Sequence, residues 1–332
     1  MIIHWITFLL AATVIVGAGV KLASFGEALG RRTGIGQGWI GLIFLAVITS
    51  IPELTTTVTG AAIGAPNIAM GNALGSNLFN IAIIAVIDIL LLGRGPFLSK
   101  VKLYHTTSGG IAILLTVIAL IGIAIPHEAS LGGISPVSYL ILIGYVFGVF
   151  ILYRIERQAG GVEAPDAETM SLARALTGFI TCAALIITAG IFLIYSSKAI
   201  SDETGLSASL VGAILVAIVT SLPELATSIG ALKIGAYDMI IGNLFGSNMF
   251  NILTVFFADL ALRKGSIYAA LGAGRQDQLL VGILGIGLTA IAVIGIGARS
   301  TRRVFGMGVD AGLLLMCYIA STYLIISRGI HL

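Results

Sequence analysis

Thr49-Ser50-Ile51-Pro52-Glu53 lies inside an apolar run, and 171 residues later the chain repeats it as Thr220-Ser221-Leu222-Pro223-Glu224. Extended downstream without a gap, the alignment pairs Asn72 with Asn243 and Gly75-Ser76-Asn77-Leu78-Phe79-Asn80 with Gly246-Ser247-Asn248-Met249-Phe250-Asn251. Of the 33 positions in 49–81 set against 220–252, 17 are identical, which marks a duplication. Upstream, Thr33-Gly34-Ile35 still matches Thr204-Gly205-Leu206, so the duplicated unit is larger than one motif.

The sequence around these motifs is that of a membrane protein: 58% hydrophobic, 10% charged, with no balance a soluble domain would tolerate. Apolar stretches fall at roughly 3–24, 37–62, 67–92, 107–125, 136–154, 175–197, 208–232, 238–263, 279–298 and 309–327. Each is near the ~20 residues a spanning helix needs, so the expectation is an all-α polytopic protein of ten transmembrane helices. The first span lacks a basic leader or cleavage site and reads as a retained helix.

Five spans per half is an odd number, so the second half enters the membrane from the other side, the inverted-repeat plan of many secondary transporters. The expected units are a first five-helix repeat at 1–155, a cytoplasmic linker at 156–174 and a second, inverted repeat at 175–332. Twelve basic residues lie in the loops after the odd-numbered spans, among them Arg94, Lys102, Arg154, Arg157 and Arg303; five lie on the other side. By the positive-inside rule the odd loops are cytoplasmic and both termini extracytoplasmic, in the cell (inner) membrane. The segment 263–278 dissents with three of the five, and its Leu271-Gly-Ala-Gly-Arg275 run reads as an exposed loop.

Of fifteen acidic residues, only Glu53 and Glu224 fall in the middle of apolar spans, with no Lys or Arg at comparable depth. A carboxylate there costs a few kcal/mol or more unless compensated, and a cation is the compensation the pattern offers. Pro52 and Pro223 lack an amide hydrogen, so helices 2 and 7 are expected to break there and to turn carbonyls of residues 46–49 and 217–220 toward the site. Ser76 and Asn80, like Ser247 and Asn251, are four apart and share one helical face. Carboxylates, amide oxygens, hydroxyls and freed carbonyls make a donor set suited to Ca²⁺, or in smaller groupings to Na⁺.

Other polar residues have structural readings. The Asn72, Asn77, Asn243 and Asn248 side chains suit hydrogen bonds between helices, and Gly71/Gly75 and Gly242/Gly246 form small-xxx-small packing faces. Asp88 and Asp259 lie about 12 Å beyond Asn80 and Asn251, near the interface, and read as solvated or capping. Cys182 and Cys317 read as packing residues, and the four histidines, His4, His105, His127 and His331, as terminal or loop residues.

The paired Thr-Ser-x-Pro-Glu and Gly-Ser-Asn-x-x-Asn motifs resemble the two α-repeats of the cation/calcium exchanger superfamily, most closely the compact prokaryotic sodium/calcium exchangers, over nearly the whole chain. The resemblance implies helices 2, 3, 7 and 8 packed as a core, with helices 1 and 6 sliding across it. It implies Ca²⁺ ligands at Glu53 and Glu224 with backbone carbonyls of Thr49 and Thr220. It implies Na⁺ ligands at Ser50, Ser221, Ser76 and Ser247 with carbonyls of Ala46 and Ala217, and an amide at Asn80. Asn251 stands where several prokaryotic exchangers have an aspartate, and Ile48 and Val219 replace the glycine that usually precedes Thr-Ser.

The leading expectation is therefore a secondary antiporter exchanging Ca²⁺ for Na⁺ by alternating access. Ca²⁺/H⁺ or other divalent cation/H⁺ exchange is the alternative, since two glutamates alone could carry protons. An intramembrane hydrolase with a Glu53/Glu224 dyad is remote, because oxygens gathered on one point suit coordination better. The partners implied are metal cations and the lipid bilayer; nothing calls for a resident cofactor, nucleic acid or a protein partner.

Overall fold

A computed structural model describes residues 1–33, 45–91, 95–125, 132–158, 170–262, 265–304 and 306–329. The chain is nearly all helical. In order it forms α1 (Ile2–Thr33), α2a (Leu45–Thr49), α2b (Ile51–Ala62), α3 (Pro66–Leu90), α4 (His105–Ala124) and α5 (Pro136–Gln158). Then come α6 (Leu172–Thr204), α7a (Ala208–Leu210, continued by a π turn Val211–Val216 and by Ala217–Thr220), α7b (Leu222–Lys233), α8 (Tyr237–Ala261), α9 (Arg275–Ala298) and α10 (Val309–Gly329). Among the described residues nine helices are long and apolar enough to cross a membrane; the tenth expected span is α2, whose upstream part falls in residues 34–44, outside the described set. Arg94, His127, Arg263, Lys264, His331 and linker residues 159–169 also lie outside it.

Helices 2 and 7 are interrupted, but two residues before the prolines. Ser50 (φ −89°, ψ 12°) and Ser221 (φ −92°, ψ 4°) leave helical geometry, and Pro52 and Pro223 occupy the second position of the helix that follows. A proline ring crowds the carbonyl four residues earlier and cannot donate to it, so the distortion collects in the preceding turn, while the first turn after the break tolerates the missing N–H.

The spans that carry the site's amides are the most enclosed. α3 and α8, which carry the Gly-Ser-Asn motifs, bury their sequence almost completely, whereas α5, α6 and α10 keep broad apolar faces outward. Lipid supplies no hydrogen bonds, so amides and hydroxyls must be shielded by neighbouring helices. α3 and α8 pack on each other; α2b covers α8 and α3; α7 crosses α3; α1 and α6 run along each other. At the α3–α7 crossing the backbones meet: a Cβ on Gly75 would lie 2.3 Å from the Ala213 carbonyl oxygen, and one on Gly212 would lie 2.4 Å from the Ile68 carbonyl oxygen. The small-xxx-small face thus packs against the π turn, which no sequence signal announced.

Asp88 and Asp259 are not solvated. Both are fully buried and act as clasps on returning chain segments. Asp88 accepts hydrogen bonds from Phe97 N (2.6 Å) and, across the molecule, from Gly308 N (2.8 Å) at the start of α10. Asp259 accepts from Ile267 N (2.7 Å), from Ser135 N (2.7 Å) and from the Ser138 hydroxyl (2.7 Å) at the start of α5. The run Leu271–Arg275 is exposed at Gly272 and Ala273 as expected, but it is not a loop: a 3₁₀ turn at Gly272–Gly274 follows a short helix that buries Ile267 and Tyr268, with Leu271 also buried, and leads directly into α9. His105 is no loop residue either; it opens α4, is buried, and lies 3.4 Å from Asp238 Oδ1. Cys182 and Cys317 are free thiols.

Because backbone meets backbone at the crossing, Gly75→Ala forces α3 and α7 apart and is expected to cost about 1–3 kcal/mol. Gly110→Ala, at an exposed α4 position with no atom within 4 Å of the added Cβ, is expected to raise stability by up to about 1 kcal/mol. Thermal unfolding in detergent compares the two.

Candidate functional site

The two broken helices bring the buried carboxylates together through each other's serines. Ser221 donates to Glu53 Oε1 (2.9 Å), and Ser50 donates to Glu224 Oε1 (3.1 Å). Each glutamate is thus oriented by the hydroxyl at the break of the other half's helix. Ser247, from α8, adds a second donor to Glu224 Oε1 (3.2 Å). Its counterpart Ser76 lies instead 3.4 Å from the Thr220 hydroxyl. The halves are related but not identical in their bonding.

Behind the carboxylates, threonines and asparagines fix the helices in register. Thr220 Oγ1 donates to Asn72 Oδ1 (3.1 Å), and Thr49 Oγ1 donates to Asn243 Oδ1 (3.3 Å), again across the halves. Asn72 Nδ2 then donates to Thr56 (2.8 Å) and Thr57 (2.9 Å), while Asn243 Nδ2 donates to Thr227 (3.2 Å). Thr56, Thr57 and Thr227 were not singled out from the sequence. The signal was available, because Thr56 and Thr227 are themselves a pair at the offset of 171.

Deeper between α3 and α8, Asn77 and Asn248 exchange bonds, each Nδ2 donating to the other's backbone carbonyl at 3.2 Å. Asn80 Nδ2 donates to Asn248 Oδ1 (3.0 Å), leaving Asn80 Oδ1 without a donor, and both Asn251 amide atoms are buried and unpaired. The Ala46 carbonyl faces the site, taking Ser247 Oγ at 3.4 Å, yet it also keeps a helical bond from Ser50 N (3.1 Å). The Ala217 carbonyl keeps its equivalent from Ser221 N (3.1 Å). These carbonyls are not stripped of partners: the Ala46 carbonyl also accepts from Thr49 Oγ1 (3.3 Å), and the Ala217 carbonyl from Thr220 Oγ1 (3.3 Å).

Glu53 Oε2 and Glu224 Oε2 are buried and have no hydrogen-bond donor, and among the described residues neither glutamate takes part in an ion pair. Lys21 in α1 is exposed. A buried charge without a partner is costly, and unpaired carboxylate oxygens, together with the unpaired amide oxygens of Asn80 and Asn251 on α3 and α8, suit a hard cation. Among the described residues no three His, Cys, Asp or Glu side chains converge, which fits a donor set of two carboxylates completed by neutral oxygens rather than a soft-metal cluster.

A polytopic protein that gathers unpaired carboxylates where two broken helices meet is, by class, an ion transporter. The chain belongs to the sodium/calcium exchanger protein family, whose sequence profile matches residues 3–155 and again residues 174–327. It is 28% identical to the provisionally named antiporter CaxA of Alkalimonas amylolytica, over 98% of this chain and the whole of that protein. Its fold superposes on the sodium-calcium exchanger NCX_Mj with a TM-score of 0.64 at 20% identity, over the full length of both chains. On the H⁺/Ca²⁺ exchanger CAX the TM-score is 0.70 at 13% identity, over 98% of this chain and 85% of that one. The relatives are exchangers and antiporters, not enzymes, so the hydrolase reading of the dyad is set aside.

In EDTA at pH 8, Glu53→Gln/Glu224→Gln removes two uncompensated buried charges and is expected to raise the thermal midpoint above that of the wild type. It also removes any stabilisation by added divalent cation, which the same melts report.

Proposed function

We propose that this protein is a secondary antiporter that moves Ca²⁺ against Na⁺, with Glu53 and Glu224 exposed alternately to the two sides of the membrane. The observation that carries this reading is the crossed pairing of Ser50 with Glu224 and of Ser221 with Glu53. One Ca²⁺ balances the two carboxylates, and the hydroxyls of Ser50, Ser221, Ser76, Ser247, Thr49 and Thr220 with the amide oxygens of Asn80 and Asn251 supply neutral oxygens for Na⁺ once Ca²⁺ leaves. Carbonyls of Thr49, Thr220, Ala46 and Ala217 complete the proposed ligand set.

The architecture proposed for this exchange is two five-helix repeats, 1–155 and 175–332, in opposite orientation, joined by a cytoplasmic linker at 156–174. Two contacts support that arrangement. The Met1 amino group lies 2.8 Å from Glu203 at the end of α6, and Lys102 N, before α4, donates to Asp238 at the start of α8 (2.8 Å). Segments that must share a side in an inverted plan do touch. With the basic residues biased to the odd loops, both termini are placed outside the cell (inner) membrane.

Proton-driven exchange is the second reading, favoured by one observation: Asn251 supplies no third carboxylate, so two glutamates carry all the titratable charge of the site. The two are separated by loading proteoliposomes with Na⁺ and following ⁴⁵Ca²⁺ uptake. Uptake driven by an outward Na⁺ gradient at equal pH is the expected result; uptake that needs a pH gradient and ignores Na⁺ selects the proton reading. Equal uptake without either gradient overturns antiport.

In the same assay Ser50→Ala and Ser221→Ala each remove a hydroxyl bonded to a carboxylate, a contact worth about 1.5–3 kcal/mol. Each is expected to weaken half-saturation by Ca²⁺ roughly 10-fold or more. Ser221→Ala, which leaves Glu53 without a serine donor, has the larger effect, since after Ser50→Ala Glu224 keeps its bond from Ser247.

A further inference from the structure

The lipid-facing side of α5 ends in a feature that ion exchange does not use. Phe150, Tyr153, Arg154 and Arg157 are spaced i, i+3, i+4 and i+7, so they share one helical face. They line an open recess of about 510 Å³ at the end of α5. Leu140, Ile143 and Phe147 continue the same face toward the helix start, and with Phe150 they expose 47% to 63% of their surface, an uninterrupted apolar ridge.

The recess differs from an ordinary apolar groove in its charge. The Arg154 guanidinium rests over the Phe150 ring, 4.7 Å from its centroid, which fixes it above the end of the ridge. Arg157 lies one helical turn on, its side chain about 5–6 Å away at Cβ, so two guanidiniums flank one opening. Among the described residues neither forms an ion pair. The groove of about 300 Å³ between α1 and α6, lined by Leu10, Val14, Leu185 and Phe192 among others, offers the same apolar chemistry with no charged residue in its lining. Hydrocarbon tails explain the ridge, but not two guanidiniums closing it that form no ion pair among the described residues.

We propose that this face of α5 binds one anionic glycerophospholipid, its phosphate held between Arg154 and Arg157 and an acyl chain lying along the ridge from Phe150 to Leu140. Guanidinium matches phosphate in bidentate geometry, and basic recesses at the ends of membrane helices hold anionic headgroups. Tyr153 walls the recess at headgroup depth, where amphipathic rings sit. The site stands apart from Glu53 and Glu224, so it holds whichever cation drives exchange.

The test uses the full chain in detergent, with phosphatidylglycerol or phosphatidylcholine of matched acyl length added, read by native mass spectrometry. The wild type is expected to retain one phosphatidylglycerol through activation that strips phosphatidylcholine. Arg154→Gln/Arg157→Gln is expected to lower phosphatidylglycerol affinity about 10-fold or more, and Arg154→Lys/Arg157→Lys, which keeps charge but loses the planar fork, to fall between. Arg174→Gln/Arg302→Gln, two exposed arginines away from the recess, serves as the control and leaves retention unchanged. Equal retention in the wild type and Arg154→Gln/Arg157→Gln overturns the proposal, as does equal loss in the control, which would mark a diffuse charge effect. Free inorganic phosphate that competes as well as the lipid also overturns it, since the ridge would then add nothing.

Discussion

Two carboxylates stand buried with no ion pair among the described residues, and each takes a hydroxyl donor from the other half of the chain, Glu224 accepting a second from Ser247 of its own half. Everything near the centre follows from that constraint. A serine can reach across only if its helix is interrupted at that residue, and the interruption is set by a proline two positions later. The asparagine and threonine contacts behind it hold the crossing in register. Replacing this arrangement by an internal salt bridge would satisfy the charges permanently, and a permanently satisfied site has no reason to take up an ion.

The enclosure of α3 and α8 is the second consequence. Helices that carry amides and hydroxyls cannot face hydrocarbon, so they occupy the middle of the bundle, and glycines let the neighbouring backbones close over them. The apolar spans around them do the opposite work of meeting lipid. Polarity inside and hydrophobicity outside reverse the order of a water-soluble protein, for the same reason of keeping every polar group satisfied.

The carboxylates, the serines and the breaks near Pro52 and Pro223 were legible in the sequence because a charge in an apolar span is conspicuous and its repetition at a fixed offset excludes accident. The asparagine bridges were legible as a class of contact, though not their partners. Asp88 and Asp259 were legible as residues near the ends of their helices but not in their surroundings, since distance along a helix says nothing of which segment folds back over its end. The glycines after Leu271 announced the exposure of Gly272 and Ala273, but not the short helix before them that buries Ile267 and Tyr268. The π turn at Val211–Val216 has no composition of its own and emerges only from the close approach of α3. Thr56 and Thr227 were visible as a repeated pair and were passed over because threonine is unremarkable in a helix.

The clasp at Asp88 bears on how the chain is made. One of its two donors, Phe97 N, is synthesised moments after it, but the other belongs to Gly308, 220 residues further on. Ser135 and Asp259 are separated by 124 residues and meet as soon as α8 is inserted. In order of synthesis, the first five spans therefore precede by a wide margin the segment that completes the bonds of their own core helix. The buried Asp88 thus waits for a bond from a segment made 220 residues later.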